Sequence, residues 1–317
     1  MTNSYTKQTT IKKAISFEGI GVHSGNAIHG KLCPAEPNTG IVFVRTDQPE
    51  PNTIPALWEY VTNTQLCTQV GATPKVTVGT IEHLLSACAG YEIDNLRIEL
   101  DGPEVPIMDG SASPFVKMIE KSGLTQQNAF KKVIAIKKQV SIFQDDMMAK
   151  ISPAHGFSLH VEIDFTSQAI GKQTLMTHMS PRQYKKLISS ARTFGFTKDL
   201  ETLNKMGLAK GASLDNSIAI QDHKILNEEG LRYKDEFVRH KVLDAIGDLY
   251  LSGHKIIGHF EGIKNGHALN YSLVKSLMED ETAWSYSLLP LSTKATTSAS
   301  TPEKVLPVSV PIENIAK

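Results

Sequence analysis

His240, Asp244 and Asp248 follow one another at i, i+4 and i+8 in the stretch 237–249. On a helix, side chains four apart lie about 6 Å from each other at Cβ, so an imidazole and a carboxylate at that spacing can share one ion. Val238, Val242, Ala245, Ile246 and Leu249 recur on the opposite side, which predicts an amphipathic helix with the His/Asp/Asp row on its polar face. The competing reading is a solvated polar face with His240 capped by water. Metal-assisted hydrolysis needs three protein ligands, an open position for water, a base and an electrophilic stabiliser. His240 and Asp244 can supply two ligands, and His83 a third. Glu82 precedes His83 near a helix start, where the helix dipole favours a carboxylate. The pair is not an HExxH metalloprotease motif, because no second histidine stands at i+4; an exposed Glu beside a capped His is its ordinary alternative. Asp248, one turn past Asp244, can orient another imidazole or a ligand. His267, after Lys264-Asn265-Gly266, reads as a loop histidine and a candidate acid, against an ordinary surface histidine. Gly19-Ile20-Gly21-Val22-His23-Ser24-Gly25 lacks the spacing of a dinucleotide or phosphate loop, so His23 is expected to serve a turn. The remaining histidines show no ligand spacing.

Three cysteines, Cys33, Cys67 and Cys88, form no CxxC pair, which leaves any metal to histidine and carboxylate and suits reduced thiols in cytosol. Thirty-three basic residues balance 33 acidic ones, so no net field attracts nucleic acid or an anionic membrane. The start of the chain has no apolar core and is not expected to be a signal peptide, and no run approaches a membrane span of about 18 apolar residues. Alternation predicts strands at 31–34, 41–44 and 95–100. Helices are expected at 80–90, with Thr80 as N-cap and Gly90 just past the end, and from Ser113, with Pro114 in the first turn. Strand-like 132–142 and 157–165 precede a helical 181–191, then the His240 helix, a strand at 255–260 and a helix at 268–278. His83 to Gly90 and His240 to Gly247 each span seven positions; Gly90 to Gly110 spans 20 and Gly247 to Gly266 spans 19. These counts read as an internal duplication, with coincidence of two similar helix-strand-helix runs as the alternative; it sets His83 and His240 at equivalent points of two related units. The polar stretch 121–128 marks the boundary, giving domains at 1–126 and 127–285. Residues 286–317, low in complexity from Leu291, are expected to be a flexible tail.

Several motifs together resemble the bacterial UDP-3-O-acyl-N-acetylglucosamine deacetylase family, zinc enzymes of lipid A biosynthesis. They are Gly19-Ile-Gly-Val-His-Ser-Gly25, Thr80-Ile-Glu-His-Leu84, Pro106-Ile-Met-Asp-Gly-Ser-Ala112, Ala191-Arg-Thr-Phe-Gly-Phe196, Leu226-Asn-Glu-Glu-Gly-Leu-Arg232, the stretch 235–249, and Gly266-His-Ala-Leu-Asn270. The resemblance implies an α+β fold of two pseudo-symmetric domains, each a sheet layered on helices, with the active site at their interface. It implies Zn2+ held by His83, His240 and Asp244, with Glu82 as general base. His267 becomes the protonated acid or electrostatic stabiliser, with Asp248 beside it. Thr193 and Lys241 are placed around the oxyanion and substrate, and Phe194 as an apolar wall near the sugar. A βαβ insert at about 194–223 would form an acyl passage, with apolar surface from Leu200, Leu203, Leu208 and Leu214. Ala212 stands where a Gly-Gly-Ser type turn is expected and would narrow that passage, and Asn216 is polar near the same wall. The implied substrate is a UDP-linked acylated amino sugar, and the implied protein a cytoplasmic monomer without nucleic-acid partners or stable membrane insertion. Two alternatives stand beside this: a zinc amidohydrolase for another N-acylated amine, and a binding protein whose structural metal is closed by four protein ligands.

Overall fold

The computed structural model describes residues 5–289. The first half runs β1 (Lys7–Ile11), β2 (Ile15–Ile20), β3 (Ala27–Pro34), β4 (Ile41–Arg45), β5 (Thr53–Pro55), β6 (Val61–Asn63), β7 (Gln69–Thr73), β8 (Val76–Val78), α1 (Glu82–Gly90), β9 (Leu96–Leu100) and α2 (Ser113–Ser122). After β10 (Leu124–Phe130) the second half follows as β11 (Lys132–Ile136), β12 (Val140–Gln144), β13 (Met147–Ser152), β14 (Phe157–Asp164), β15 (Lys172–His178) and α3 (Pro181–Leu187). It continues with β16 (Phe194–Phe196), α4 (Leu200–Lys205), β17 (Ile218–Gln221), β18 (Lys224–Ile225), α5 (Glu236–Leu249), β19 (Lys255–Ile263), α6 (His267–Glu279) and β20 (Trp284–Leu288).

The two halves share one topology. The first sheet is ordered β2-β3-β9-β4-β5, and β9 pairs antiparallel with β3 and parallel with β4. In the second, β12-β13-β19-β14-β15 has the same order, and β19 pairs antiparallel with β13 and parallel with β14. Each central strand lies between two helices in the chain, α1 and α2 around β9, α5 and α6 around β19. This is an α+β fold with the internal repeat expected from spacing. Alternation explains the layering: β19 buries every second residue, as does β4, so one face of each sheet meets its helices. Phe17 and Phe115 meet edge to face at 6.0 Å between sheet and α2.

Several boundaries differ from the sequence reading, each for a local reason. Thr80 is not the N-cap of α1: its backbone is left-handed (φ 54°) and its hydroxyl donates to Glu104 Oε1 at 2.8 Å. The cap position falls on Ile81 and has no side-chain hydrogen bond. Gly90 is the last helical residue, and it lacks a Cβ because the Tyr184 ring occupies that space. The polar stretch at 121–128 is ordered. Part of it is β10, paired antiparallel with β1, and its amides find polar partners: Gln127 Nε2 donates to Ala35 O at 2.7 Å and accepts from Asn95 at its Oε1. The helix expected at 181–191 stops at Leu187. Residues 286–288 belong to β20, which pairs with β11, and the rest of the expected tail, from 290, lies outside the described residues.

For α5 the structure decides between the two readings of its polar row. It is not half solvated; 12 of its 14 residues are buried, His240, Asp244 and Asp248 among them. Its polar row faces α1 and α6 rather than water. The βαβ arrangement within 194–223 is present, with β16 and β17 parallel around α4.

Candidate metal centre and its proton-transfer groups

α1 and α5 cross in close contact, because a Cβ at Gly247 would overlap the main-chain carbonyl of Glu82. That approach brings His83 on α1 against His240 and Asp244 on α5. The two imidazoles stand edge to face with centroids 5.0 Å apart. Their Nε2 atoms converge on one oxygen, Asp244 Oδ1, at 3.6 Å from His83 and 3.2 Å from His240. The other Asp244 oxygen, Oδ2, accepts from Lys241 Nζ at 2.7 Å. His240 Nδ1–H donates to Ala191 O at 3.1 Å, which leaves the Nε2 lone pair facing the cluster.

The charge state of this cluster follows from burial. Desolvation lowers His240 to about 3, so its ring is neutral. Burial opposes ionisation of Asp244, but the His240 ring and the Lys241 ammonium hold its carboxyl well below the usual range. Asp244 Oδ1 and His83 Nδ1 are buried without a hydrogen-bond partner. A buried carboxylate oxygen left unsatisfied is costly. A cation held between the two imidazoles and that oxygen removes the cost, and two nitrogens plus one carboxylate oxygen is a donor set that divalent metals take. The three ligand atoms lie within 4.8 Å of one another, so the His/His/Asp group can bind a metal. Among the described residues no fourth His, Cys, Asp or Glu joins them.

Beside this group lies a second constellation. His267 is not on a loop: it is the first residue of α6, after Gly266 at the cap. Its Nδ1 hydrogen-bonds Asp248 Oδ2 at 2.9 Å, and its Nε2 stands 3.8 Å from Glu82 Oε1. Burial and the helix N-terminus both disfavour imidazolium there. Asp248 first, then Glu82, overcome them and raise His267 to about 9. Burial also raises Glu82, against the pull of His267 and His83. Asn270, one turn into α6, donates to Asp248 Oδ2 at 2.9 Å. Thr68 donates its main-chain N–H to Glu82 Oε2 at 3.0 Å and its hydroxyl to Asp248 Oδ1 at 2.6 Å.

Of the other residues singled out from sequence, Phe194 meets the His240 ring edge to face at 6.2 Å and packs on Phe237 at 5.0 Å. Thr193 is fixed by its backbone between Gly110 O and the N–H of Ile218, both at 2.8 Å. Lys241 is engaged by Asp244. Leu200 and Leu214 are exposed and Ala212 half-buried. Asn216 is buried, and its side chain closes a turn, accepting from Ser213 N–H and donating to Gly211 O, both at 2.9 Å. His23 sits in its expected turn, and its Nδ1 accepts from Ala209 N–H at 3.4 Å.

Five contributing residues went unrecognised in the sequence. Arg192 and Glu236 stood inside quoted motifs; they form a buried pair, Nε to Oε1 at 2.9 Å, that ties the start of β16 to α5. Asn270 lies one turn from His267, a spacing that was available. Glu104, buried, accepts from Thr80 Oγ1 and from the N–H groups of His23 and Ser24. Thr68 carried no local signal at all.

Comparison with known proteins assigns the chain as a whole to a family. The family model for UDP-3-O-acyl N-acetylglycosamine deacetylase matches residues 8–279. The chain is 49% identical over 282 residues to the UDP-3-O-acyl-N-acetylglucosamine deacetylase of Histophilus somni (strain 129Pt), covering 88% of this chain and 92% of that one. It is 49% identical over 290 residues to the enzyme of the same name from Myxococcus xanthus (strain DK1622), covering 92% and 91%. With that of Chromohalobacter salexigens it shares 50% over 280 residues, covering 88% and 92%.

Proposed function

Because the chain belongs to the UDP-3-O-acyl-N-acetylglucosamine deacetylase family, we propose that it removes the N-acetyl group from UDP-3-O-(3-hydroxyacyl)-N-acetylglucosamine, releasing acetate, as a zinc-dependent hydrolase of lipid A biosynthesis in the cytoplasm. The observation that carries this reading is the convergence of His83 and His240 on Asp244 Oδ1, with Glu82 and His267 facing each other beside it. No helix among the described residues is long and apolar enough to cross a membrane.

His83, His240 and Asp244 would hold the zinc. When bound, zinc polarises the acetamide carbonyl and lowers the pKa of water toward ~7. Glu82 then acts as general base through Oε1, the oxygen facing His267, while Oε2 stays tied to Thr68 N–H. As a cation, His267 offers Nε2–H to the developing charge and then protonates the leaving amine; Asp248 keeps it charged. Lys241 holds Asp244 by one N–H and has others for the substrate oxyanion, with Thr193 beside it. Phe194 forms an apolar wall next to the His240 ring. The 194–223 insert, through Leu200, Leu203, Leu208, Leu214 and Ala212, receives the acyl chain.

The deciding experiment incubates the zinc-loaded protein with the UDP-linked substrate and with free N-acetylglucosamine, and measures acetate and free amine. Turnover of the first alone supports the proposal. Zinc bound at one equivalent without acetate release would return the metal to a structural role.

A further inference from the structure

We propose that Thr68 is a positioning residue for the deacetylation, one that locks the Glu82 base and the Asp248–His267 pair into a common geometry across the two halves of the molecule. The proposal rests on the function inferred above and adds to it a group outside the catalytic set.

Thr68 lies just before β7 and is 1% exposed. Three of its polar groups are committed in three directions. Its carbonyl accepts from Ile81 N–H at 3.3 Å and its own N–H donates to Glu82 Oε2 at 3.0 Å, which fixes its backbone against the start of α1. Its χ1 is restricted by β-branching, so a held backbone leaves the hydroxyl little freedom. The hydroxyl donates to Asp248 Oδ1, 180 positions away in the chain, at 2.6 Å. That length is characteristic of a hydroxyl donating to an ionised carboxylate.

The consequence is a nearly closed circuit. Glu82 Oε2 binds Thr68 N–H, Thr68 Oγ1–H binds Asp248 Oδ1, and Asp248 Oδ2 binds His267 Nδ1; the circuit opens only between His267 Nε2 and Glu82 Oε1, 3.8 Å apart. The gap is where a substrate atom must sit between base and acid. Thr68 therefore sets its width: one donor turns the Glu82 carboxylate so that Oε1 faces the gap, and the other turns Asp248 so that Oδ2 faces His267. Asn270 secures Oδ2 from the other side, at 2.9 Å. No polar group of Thr68 touches the His/His/Asp cluster, so its removal should spare metal binding.

The test compares Thr68→Val, which keeps the shape and loses the hydroxyl, with Thr68→Ser, which keeps the hydroxyl. Loss of a partner that orients a reactive side chain typically costs 10–100-fold in activity. Thr68→Val should lower kcat by about 10–100-fold with KM within about twofold and metal content unchanged, and Thr68→Ser should recover kcat to within about threefold of wild type. A second readout needs no turnover: the His267 Nδ1–H signal in 15N-histidine NMR should persist in wild type and Thr68→Ser and broaden or vanish in Thr68→Val. Near wild-type kcat and an intact His267 signal in Thr68→Val would overturn the proposal, as would a Thr68→Ser as slow as Thr68→Val, which would assign the effect to the lost methyl. A wild-type protein that binds zinc but releases no acetate refutes the functional reading instead, and leaves the NMR comparison to judge Thr68.

Discussion

The side chains of the proposed metal site divide their contacts between atoms, so single substitutions should separate their effects. His83→Ala, His240→Ala and Asp244→Ala are each expected to lower zinc occupancy sharply with the fold largely retained; full occupancy by elemental analysis in any one would remove that residue from the ligand set. Glu82→Ala should keep its zinc and lose about 10²–10⁴-fold in turnover, the usual contribution of a general base. His267 is expected to set the pH behaviour. Its folded value of about 9 stands above the ordinary 6.5, so imidazolium persists through neutral pH and is lost as pH rises through about 9. The associated stability has the same sign: it is fully present below about 6.5 and disappears as pH rises through the folded value. Asp248→Asn removes the largest favourable charge, so the basic limb of the pH–rate profile should move to lower pH. His267→Gln should cut kcat with little change in metal content. A basic limb unmoved by Asp248→Asn, with His267→Gln near wild type, would pass the acid role to Glu82 returning its proton.

At the scale of elements, the site is a helix crossing. α1 carries Glu82, the proposed base, and one imidazole; α5 carries the other imidazole and both aspartates, and Gly247 lets them touch. Gly247→Ala must push the Glu82 main chain away, since backbone cannot swing aside as a flexible side chain can. Overpacking of this kind costs roughly 1–3 kcal/mol. The variant should lose both unfolding free energy and zinc affinity, whereas the exposed control Leu200→Ala should lose neither. The start of β16 depends on a different device. Arg192 is 2% exposed and Glu236 0% exposed, and Glu236 also accepts from Arg232 N–H. Arg192→Ala strands a buried carboxylate, which costs roughly 3–5 kcal/mol. Urea unfolding should read that loss, and a cost under about 1 kcal/mol would mean that water replaces the guanidinium.

Across the whole molecule, the two related halves are joined at the helix crossing and again at their rims. The Gly21–Gly25 turn of the first half meets residues 209–211 of the insert: Gly211 N–H donates to Val22 O at 3.0 Å and Lys210 N–H to His23 O at 3.3 Å. A Cβ at Gly211 would overlap Gly21 O, so the two chains lie main chain against main chain. Glu104 anchors the turn from beneath. Glu104→Ala leaves two N–H groups and the Thr80 hydroxyl without their acceptor, and amide exchange should quicken in 21–25 and 207–211 together. Faster exchange confined to 21–25 would show that the insert stands without this support.

Much of this molecule was readable before it was folded, because local chemistry leaves periodic marks. The His240/Asp244/Asp248 spacing is a property of one helix, and the seven-residue intervals ending at Gly90 and Gly247 record a repeat that returns as two sheets of one strand order. What the chain could not declare locally was decided by packing. Amphipathic periodicity left the polar row of α5 open to water as well as to an ion, yet 12 of its 14 residues are buried; burial makes His240 neutral, while the Asp248 and Glu82 carboxylates keep His267 cationic against it. Thr80 carries a good capping side chain, but Glu104 claims its hydroxyl from 24 positions away. Thr68 lies in no periodic element and near no chemistry in the chain; its meaning depends on a carboxylate 180 positions distant. Periodicity reports which face of an element is apolar. Which charges meet, and how far water is excluded from them, is a property of distances that exist only once α1, α5 and α6 are packed together.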